Sequence, residues 1–518
     1  MTILDVQVTH SMPVKFPLIN NVMAWVMKKR FHEIELFMKY PLEVQREWQM
    51  KLVRSARETE YGLQHGFEDI RNYEDFRNRV PIVSYEDLVP LIERQRRGEQ
   101  NILWPTEIKW FAKSSGTTAQ RSKFLPVSQE SLEECHLNTG KDMLSIYCSL
   151  NPNTQMFSGK SLMMAGSATS IDPSNNSYYG DLSAILVNNL PFWADFLSTP
   201  DNKTALIENF EEKLDKTVEI TIKENVTSLT GVPSWMLVTC HKVLEATGKD
   251  NLLEVWPDLE LFIHGGVAFT PYREQFKQLI PRDDMHYIET YNASEGFFAI
   301  KDQLDSDDML LMLDYGIFYE FIPEGEWLSE SPKAIGLDEV VLGQQYAVVI
   351  STNAGLWRYK IGDTIEFTSL YPFRIRITGR TKYFINAFGE ELIQDNAEQA
   401  LAIACEKTRA QVREYTGGPV YMKDGASGAH EWVMEFEREP EDLSFFIDAF
   451  DSALKVLNTD YEAKRHKNMA LQPPVVHIAR PGLFFDWMKR RGKLGGQNKV
   501  PRLANHRDYL GELIEMNQ

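Results

Sequence analysis

Between residues 160 and 300 short apolar runs, each ending in small or polar residues, alternate with amphipathic stretches. The runs "SLMMAG", "VTSLTGVP", "LELFIHGG" and "MHYIETYNASE" read as strands. Ahead of the second run Ile207, Phe210, Leu214, Val218 and Ile222 recur every three or four residues, which predicts a helix burying one face in ordinary core packing. Strands separated by amphipathic helices are the mark of α/β layering.

The flanks carry other textures. Residues 30–95 are helical in pattern and end in the punctuated "RVPIVSYEDLVPLI". After residue 305 strands come in succession, as "MLLMLDYGIFYEFIP", "QYAVVISTNAG", "LWRYKIGDTIEF" and "FRIRITGRTKYFINAF", which predicts a meander or small barrel. Beyond Arg380 the chain restarts with a helix over Asp395–Thr408, a strand at "HEWVMEFE", a long helix over Leu443–Leu457 and a basic tail. At 518 residues one core is too little. The expected α/β fold is a large N-terminal unit, residues 1–378, with β-sheets flanked by helices plus a small β-barrel, and a smaller α+β unit, residues 379–518.

A net charge of -19 argues against sequence-independent binding to nucleic acid or an anionic membrane. An anionic substrate would therefore meet a local basic site. Cys135, Cys148, Cys240 and Cys405 stand far apart, without metal or disulfide spacing, which fits a reducing cytoplasm. No apolar run reaches the roughly 20 residues of a membrane span, and the N-terminus has no export signal, so a soluble, unexported protein is expected.

Four segments carry the chemistry. In "KWFAKSSGTTAQRSKFLPVS" a predicted strand runs into Ser114, Ser115, Gly116, Thr117 and Thr118, with Lys113, Arg121 and Lys123 close by. Hydroxyls, free N–H groups and cations suit a phosphate cradle, although the Gly-x4-Gly-Lys spacing of a Walker loop is missing and a polar linker is the alternative. In "FIHGGVAFTPY" Gly265 and Gly266 end a strand and admit close approach to the backbone, or form a tight turn. In "YIETYNASEGFF" Tyr291 offers an aromatic face, Asn292 and Ser294 polar groups, and Glu295 a carboxylate that could hold Mg2+ beside phosphates or sit solvated in a loop. In "WRYKIGDTIEF" Asp363 could accept from a ribose diol or stabilise a turn.

In this order the segments resemble the GH3 family of acyl acid amido synthetases, within the adenylate-forming enzymes. "SSGTT" with "KFLPVS", "YNASEG" and "YKIGD" look like that family's three nucleotide motifs, and "GLFFDWMKRRGKLGGQNKVPRL" like its closing segment, so the resemblance runs from about residue 40 to the end. "INAFGEEL" departs from plant members, and a bacterial-type member is expected. The resemblance implies ATP and Mg2+ as cofactors. It assigns Ser114, Ser115, Gly116, Thr117 and Thr118 to the ATP phosphates, and Tyr291 with Gly265 and Gly266 to adenine. Asn292, Ala293 and Ser294 complete the nucleotide motif, Glu295 serves phosphate and metal, and Asp363 the ribose. Arg380 falls at the hinge between the units, Lys382 beside phosphate, and Lys499 is the cation expected to stabilise attack on the α-phosphorus.

The implied reaction adenylates a small carboxylic acid and passes the acyl group to an amino acid amine. A thiol acceptor such as coenzyme A, or a nucleotide-binding protein without turnover, are the alternatives. Tyr178, Tyr179, Phe192 and Trp193 could line an acyl pocket, with ordinary core the preferred reading.

Overall fold

A computed structural model describes residues 17–114, 123–166, 170–172, 177–267, 269, 272–327, 329, 331–381, 384–422, 427–491 and 500–518. Helices at Pro17–Lys39, Pro41–Ser55, Glu60–Gln64, Tyr73–Arg79 and Tyr85–Arg96 form the expected N-terminal layer. Ile34, Trp48, Leu52, Phe76 and Ile92 from this layer are buried in one apolar cluster with strand residues such as Tyr319 and Ile350. The helical layer is thus held by side chains more than 200 residues away.

Strands β1 (Trp110–Ser114), β2 (Lys123–Val127), β3 (Lys160–Met163), β4 (Ser170–Asp172) and β5 (Ser177–Gly180) follow, and all but β3 form a sheet in the order β2-β1-β5-β4. Next come β6 (Ser198–Thr199), β7 (Val226–Gly231), β8 (Leu261–Gly265), β9 (His286–Ala293), β10 (Gly296–Ile300) and β11 (Met309–Leu311). The series ends in β12 (Ile317–Pro323), β13 (Gln345–Thr352), β14 (Tyr359–Leu370) and β15 (Phe373–Arg380). With β3 these make an eleven-stranded sheet, ordered β12-β13-β14-β15-β11-β10-β9-β8-β7-β3-β6.

Its β6-β3-β7-β8-β9 half is parallel. The helices that precede β7, β8 and β9 span Phe210–Thr221, Pro233–Thr247 and Arg273–Leu279, which is the α/β layering the sequence predicts. The first of them buries Leu214 and Val218 as expected, but Ile207 lies ahead of it. Asn209 ends the helix there, its side chain accepting from the Glu212 N–H at 3.0 Å.

From β9 onward the pairing is antiparallel. The predicted succession of strands is present as the meander β12-β13-β14-β15, which in place of a small barrel continues the large sheet. The reason is β11, which pairs with β10 through Ala299 and Leu311 and with β15 through Met309 and Ile375. The strand group thereby uses the edge of β10 instead of closing on itself.

After Arg380 come β16 (Phe384–Ile385), β17 (Leu392–Ile393), β18 (Gln411–Val420), β19 (Ala429–Arg438) and β20 (Val475–Ala479), with helices at Gln394–Thr408 and Leu443–Leu457 close to the expected bounds. β18 was not legible because Gly417 and Gly418 interrupt its pattern. The structure explains Gly417: a Cβ there would lie 2.6 Å from the Trp432 ring, which packs on the bare backbone. Shorter helices at Thr459–Arg465, Leu483–Arg490 and Asp508–Asn517 complete the chain. Tyr272 donates to the Ala387 carbonyl at 2.5 Å and Gln275 to that of Met422 at 2.7 Å, joining this part to the large sheet's helices. No helix of the described residues is long and apolar enough to cross a membrane.

Candidate active site

The parallel pairing of β8 with β9 ends at Gly265 opposite Thr290, and the strands open there onto a cavity of about 900 Å3. Ligands bind at such edges in parallel α/β sheets. Ser114, Gly265, Gly266 and Asn292 of the expected residues line it. Gly265 must be bare, since a Cβ would lie 2.5 Å from Thr290 Oγ1, whereas Gly266 has room but a φ of +81°.

Strand alternation decides what β9 presents. Asn292 is exposed toward the cavity, whereas Tyr291 is 5 % exposed. The Tyr291 ring packs 4.8 Å from that of Phe298, so its aromatic face is turned into the core and is not offered to adenine in this structure. Ala293 ends β9, and Ser294 and Glu295 make the turn into β10.

The Tyr291 hydroxyl has another use, donating to Asp363 Oδ2 at 2.8 Å. Arg380 lies directly across the β14–β15 ladder from Asp363 and donates from Nε to Oδ1 at 2.6 Å. Its other arm reaches Glu391 at 3.4 Å. Burial works against the Arg380 charge, and the Glu391 and Asp363 carboxylates more than offset it. Burial first, and then the Asp363 charge, raise the Tyr291 phenol well above its ordinary range, which fixes it as a donor.

A second chain of contacts runs beside the first. Tyr359, at the start of β14, donates to Glu295 Oε1 at 3.2 Å, and Lys123 Nζ approaches the same hydroxyl at 3.4 Å. Burial raises the Glu295 carboxyl and the Lys123 charge opposes that rise. Lys123, near the loop read as a phosphate cradle, is 6 % exposed and belongs to this internal relay.

Ser115, Gly116, Thr117, Thr118, Lys382 and Lys499 lie outside the described residues. Of the four aromatics considered for an acyl pocket, Tyr179 and Trp193 line the cavity, while Phe192 is 85 % exposed. The cavity also holds groups the sequence reading missed. His136 stands at a π-helical turn, Ser131–Leu137, and burial lowers its imidazole to about 4. Trp235, just after β7, and Lys464 also line it, the Lys464 ammonium 4.5 Å from the Trp235 ring centroid. Nothing in sequence links residues so far apart.

The GH3 family N-terminal domain matches residues 30–285, its central domain residues 310–380 and its C-terminal domain residues 395–508. The chain belongs to the GH3 family. Among GH3 relatives, the jasmonoyl-L-amino acid synthetase JAR4 of Nicotiana attenuata is 25% identical over 545 residues, covering 91% of this chain and 92% of its own. The indole-3-acetic acid-amido synthetase GH3.3 of Arabidopsis thaliana is 22% identical, covering 88% of each. Membership makes the chain a ligase of the acyl acid amido synthetase class. The fold agrees: the solved structure of AtGH3.15 acyl acid amido synthetase in complex with 2,4-DB superposes with a TM-score of 0.60 at 17% identity over 98% of both chains. A 2-hydroxyisobutyryl-CoA ligase superposes with a TM-score of 0.53 at 13% identity over 98% of this chain and 93% of its own.

Proposed function

We propose that this GH3 ligase adenylates a small carboxylic acid with Mg-ATP and transfers the acyl group to the amine of an amino acid. The observation that carries the reading is a two-sided cavity, walled by the parallel-sheet edge on one side and by the Thr459–Arg465 helix on the other. A reaction with two successive co-substrates calls for such a site.

In the first step a carboxylate oxygen of the acid attacks the α-phosphorus, and the bond to pyrophosphate breaks. In the second the amine nitrogen attacks the acyl carbon, AMP departs with the electrons of the C–O bond, and the amine proton is lost. Asp363 would hold the ribose, with two of its lone-pair directions left beside Tyr291 and Arg380. Gly265, Gly266 and Asn292 would bound the base, and Ser114 with the loop through Thr118 the phosphates. Lys382 and Lys499 are assigned to the phosphates on motif alone. Among the described residues there is no cluster of three acidic, His or Cys side chains for a metal. Glu295 fits the single-carboxylate contact that Mg2+ commonly makes when phosphate oxygens complete its shell. The ion would neutralise phosphate charge.

Purified protein with Mg-ATP and a panel of carboxylic acids, amines and coenzyme A is expected to yield AMP, pyrophosphate and an amide. A thioester product would transfer the reading to a thiol acceptor, for which the superposed CoA ligase is a precedent in fold. ADP would mean acyl phosphate chemistry, and ATP binding without release of either product would mean a binder.

The units 1–378 and 379–518 are further proposed to pivot near Arg380, which ends β15 and bridges Asp363 behind it to Glu391 ahead. Scattering curves with and without an acyl-adenylate mimic are expected to differ in radius of gyration. Superimposable curves would mean a rigid site.

A further inference from the structure

Part of the cavity wall is built by a helix of the smaller unit whose position is fixed by contacts outside the cavity. In Thr459–Arg465, Arg465 makes two contacts of 2.7 Å with Asp451, which also accepts from the Tyr461 hydroxyl at 2.7 Å. Asn458 caps the helix, accepting from the Tyr461 N–H at 2.8 Å. Held in this way, the helix turns Thr459, Asp460, Ala463 and Lys464 to the cavity, spacings that share one helical face.

Lys464 is half-buried, and its ammonium rests against the face of Trp235 on the large unit. A ring face attracts a cation but does not neutralise it. The carboxylates whose charge reaches it, Asp460, Glu390 and Asp181, offset part of the burial that lowers its basicity. Glu390 is committed elsewhere, accepting from His430 and from the Ala387 and Phe388 N–H groups. The Lys464 stem passes over Gly389 of that same turn, with Cε 3.4 Å from where a Cβ would stand. The ammonium is therefore positioned from three sides at the rim of a cavity that must receive a second substrate.

We infer that Lys464 binds the α-carboxylate of the acceptor amino acid and is the residue by which this ligase prefers amino acids to simple amines. The inference rests on the amide-forming reading above. A carboxylate seated on Lys464 would form a charge-assisted hydrogen bond in a partly desolvated place, where such bonds are strong. The acceptor would approach along the part of the wall that the C-terminal unit contributes.

The test uses the full-length protein with its acid and Mg-ATP saturating. Glycine, leucine, phenylalanine, aspartate and glutamate are each compared with the corresponding α-carboxamide, which keeps the amine and loses the charge. The parent is expected to favour the best amino acid over its carboxamide by about tenfold or more in kcat/KM. Lys464→Met is expected to raise KM for that amino acid about tenfold to hundredfold, while the carboxamide changes by less than about threefold, so that the preference vanishes. Lys464→Arg should restore part of it.

A preference left intact in Lys464→Met would overturn the inference. So would an equal loss for acid and carboxamide, which a mere tether to Trp235 predicts, or a matching fall in acid-dependent pyrophosphate exchange, which a role in adenylation predicts. A parent that exchanges pyrophosphate but conjugates no amine would sink the amide reading itself, and this inference with it.

Discussion

Glu320→Ala is expected to destabilise the large unit by roughly 3 to 5 kcal/mol, the range for leaving one member of a buried ion pair without its partner. Glu320 Oε1 and Oε2 accept from Arg358 Nη2 and Nε at 2.7 and 2.8 Å, and the two side chains are 1 % and 6 % exposed. Arg358 Nη1 donates to the carbonyls of Arg77 and Val80 at 3.0 and 2.8 Å, while the Tyr73 hydroxyl donates to Glu320 at 2.9 Å. One carboxylate thus ties the N-terminal helical layer to β12 and to the start of β14.

Removal of Glu320 strands a guanidinium that no longer finds water or a counter-charge. The double variant Glu320→Leu/Arg358→Met, which removes both charges and keeps apolar volume, should recover most of the loss. Arg358→Lys alone should also destabilise, because a point ammonium cannot reproduce the two-pronged contact to Glu320 or reach both carbonyls. Thermal unfolding followed by tryptophan fluorescence and calorimetry reads the series. A Glu320→Ala midpoint equal to the parent's would mean that the pair contributes nothing net. The site is expected to feel the change as well, because Arg358 immediately precedes Tyr359, which orients Glu295.

This pair also shows where the sequence stops speaking. "WRYKIGD" draws attention through Asp363, yet its Arg358 and Tyr359 have partners 38 and 64 residues away that no spacing rule connects. What was legible depends on local periodicity. β7, β8 and β9, the helices over residues 394–408 and 443–457, and the glycines at the end of β8 all follow from patterns within a few residues. Tyr291 shows the limit of a motif read alone: the motif puts its ring beside a ligand, while the two-residue alternation of β9 turns Thr290 and Asn292 to the cavity in this structure. Meander and barrel could not be told apart for a similar reason, since strand succession specifies neighbours in sequence, here the meander β12-β13-β14-β15, and leaves the pairing of β11 with β10 unspecified. Lys464 carries no signal in sequence, because its meaning comes from docking against Trp235 in a distant part of the chain.

Asp363→Ala is expected to slow acid-dependent ATP–pyrophosphate exchange by about tenfold to hundredfold, which corresponds to the roughly 1 to 3 kcal/mol attached to losing a hydrogen bond in a desolvated polar site. Two effects add. The ribose would lose its acceptor, and the Arg380 guanidinium would lose the carboxylate 2.6 Å from its Nε while keeping only the longer contact to Glu391. The controls separate them. Asp363→Asn keeps the volume and an oxygen able to accept from either Tyr291 or a ribose hydroxyl, but removes the charge facing Arg380. Tyr291→Phe removes the 2.8 Å hydrogen bond and leaves both the ribose acceptor and the ion pair. If Asp363 acts chiefly on the nucleotide, Asp363→Ala raises KM for Mg-ATP far more than Tyr291→Phe does, and Asp363→Asn falls between them. If it acts chiefly by holding Arg380, Asn and Ala are equally impaired and the defect is in kcat at saturating Mg-ATP. Exchange at the parent's rate and KM in folded Asp363→Ala protein would remove Asp363 from the site, since neither effect could then operate.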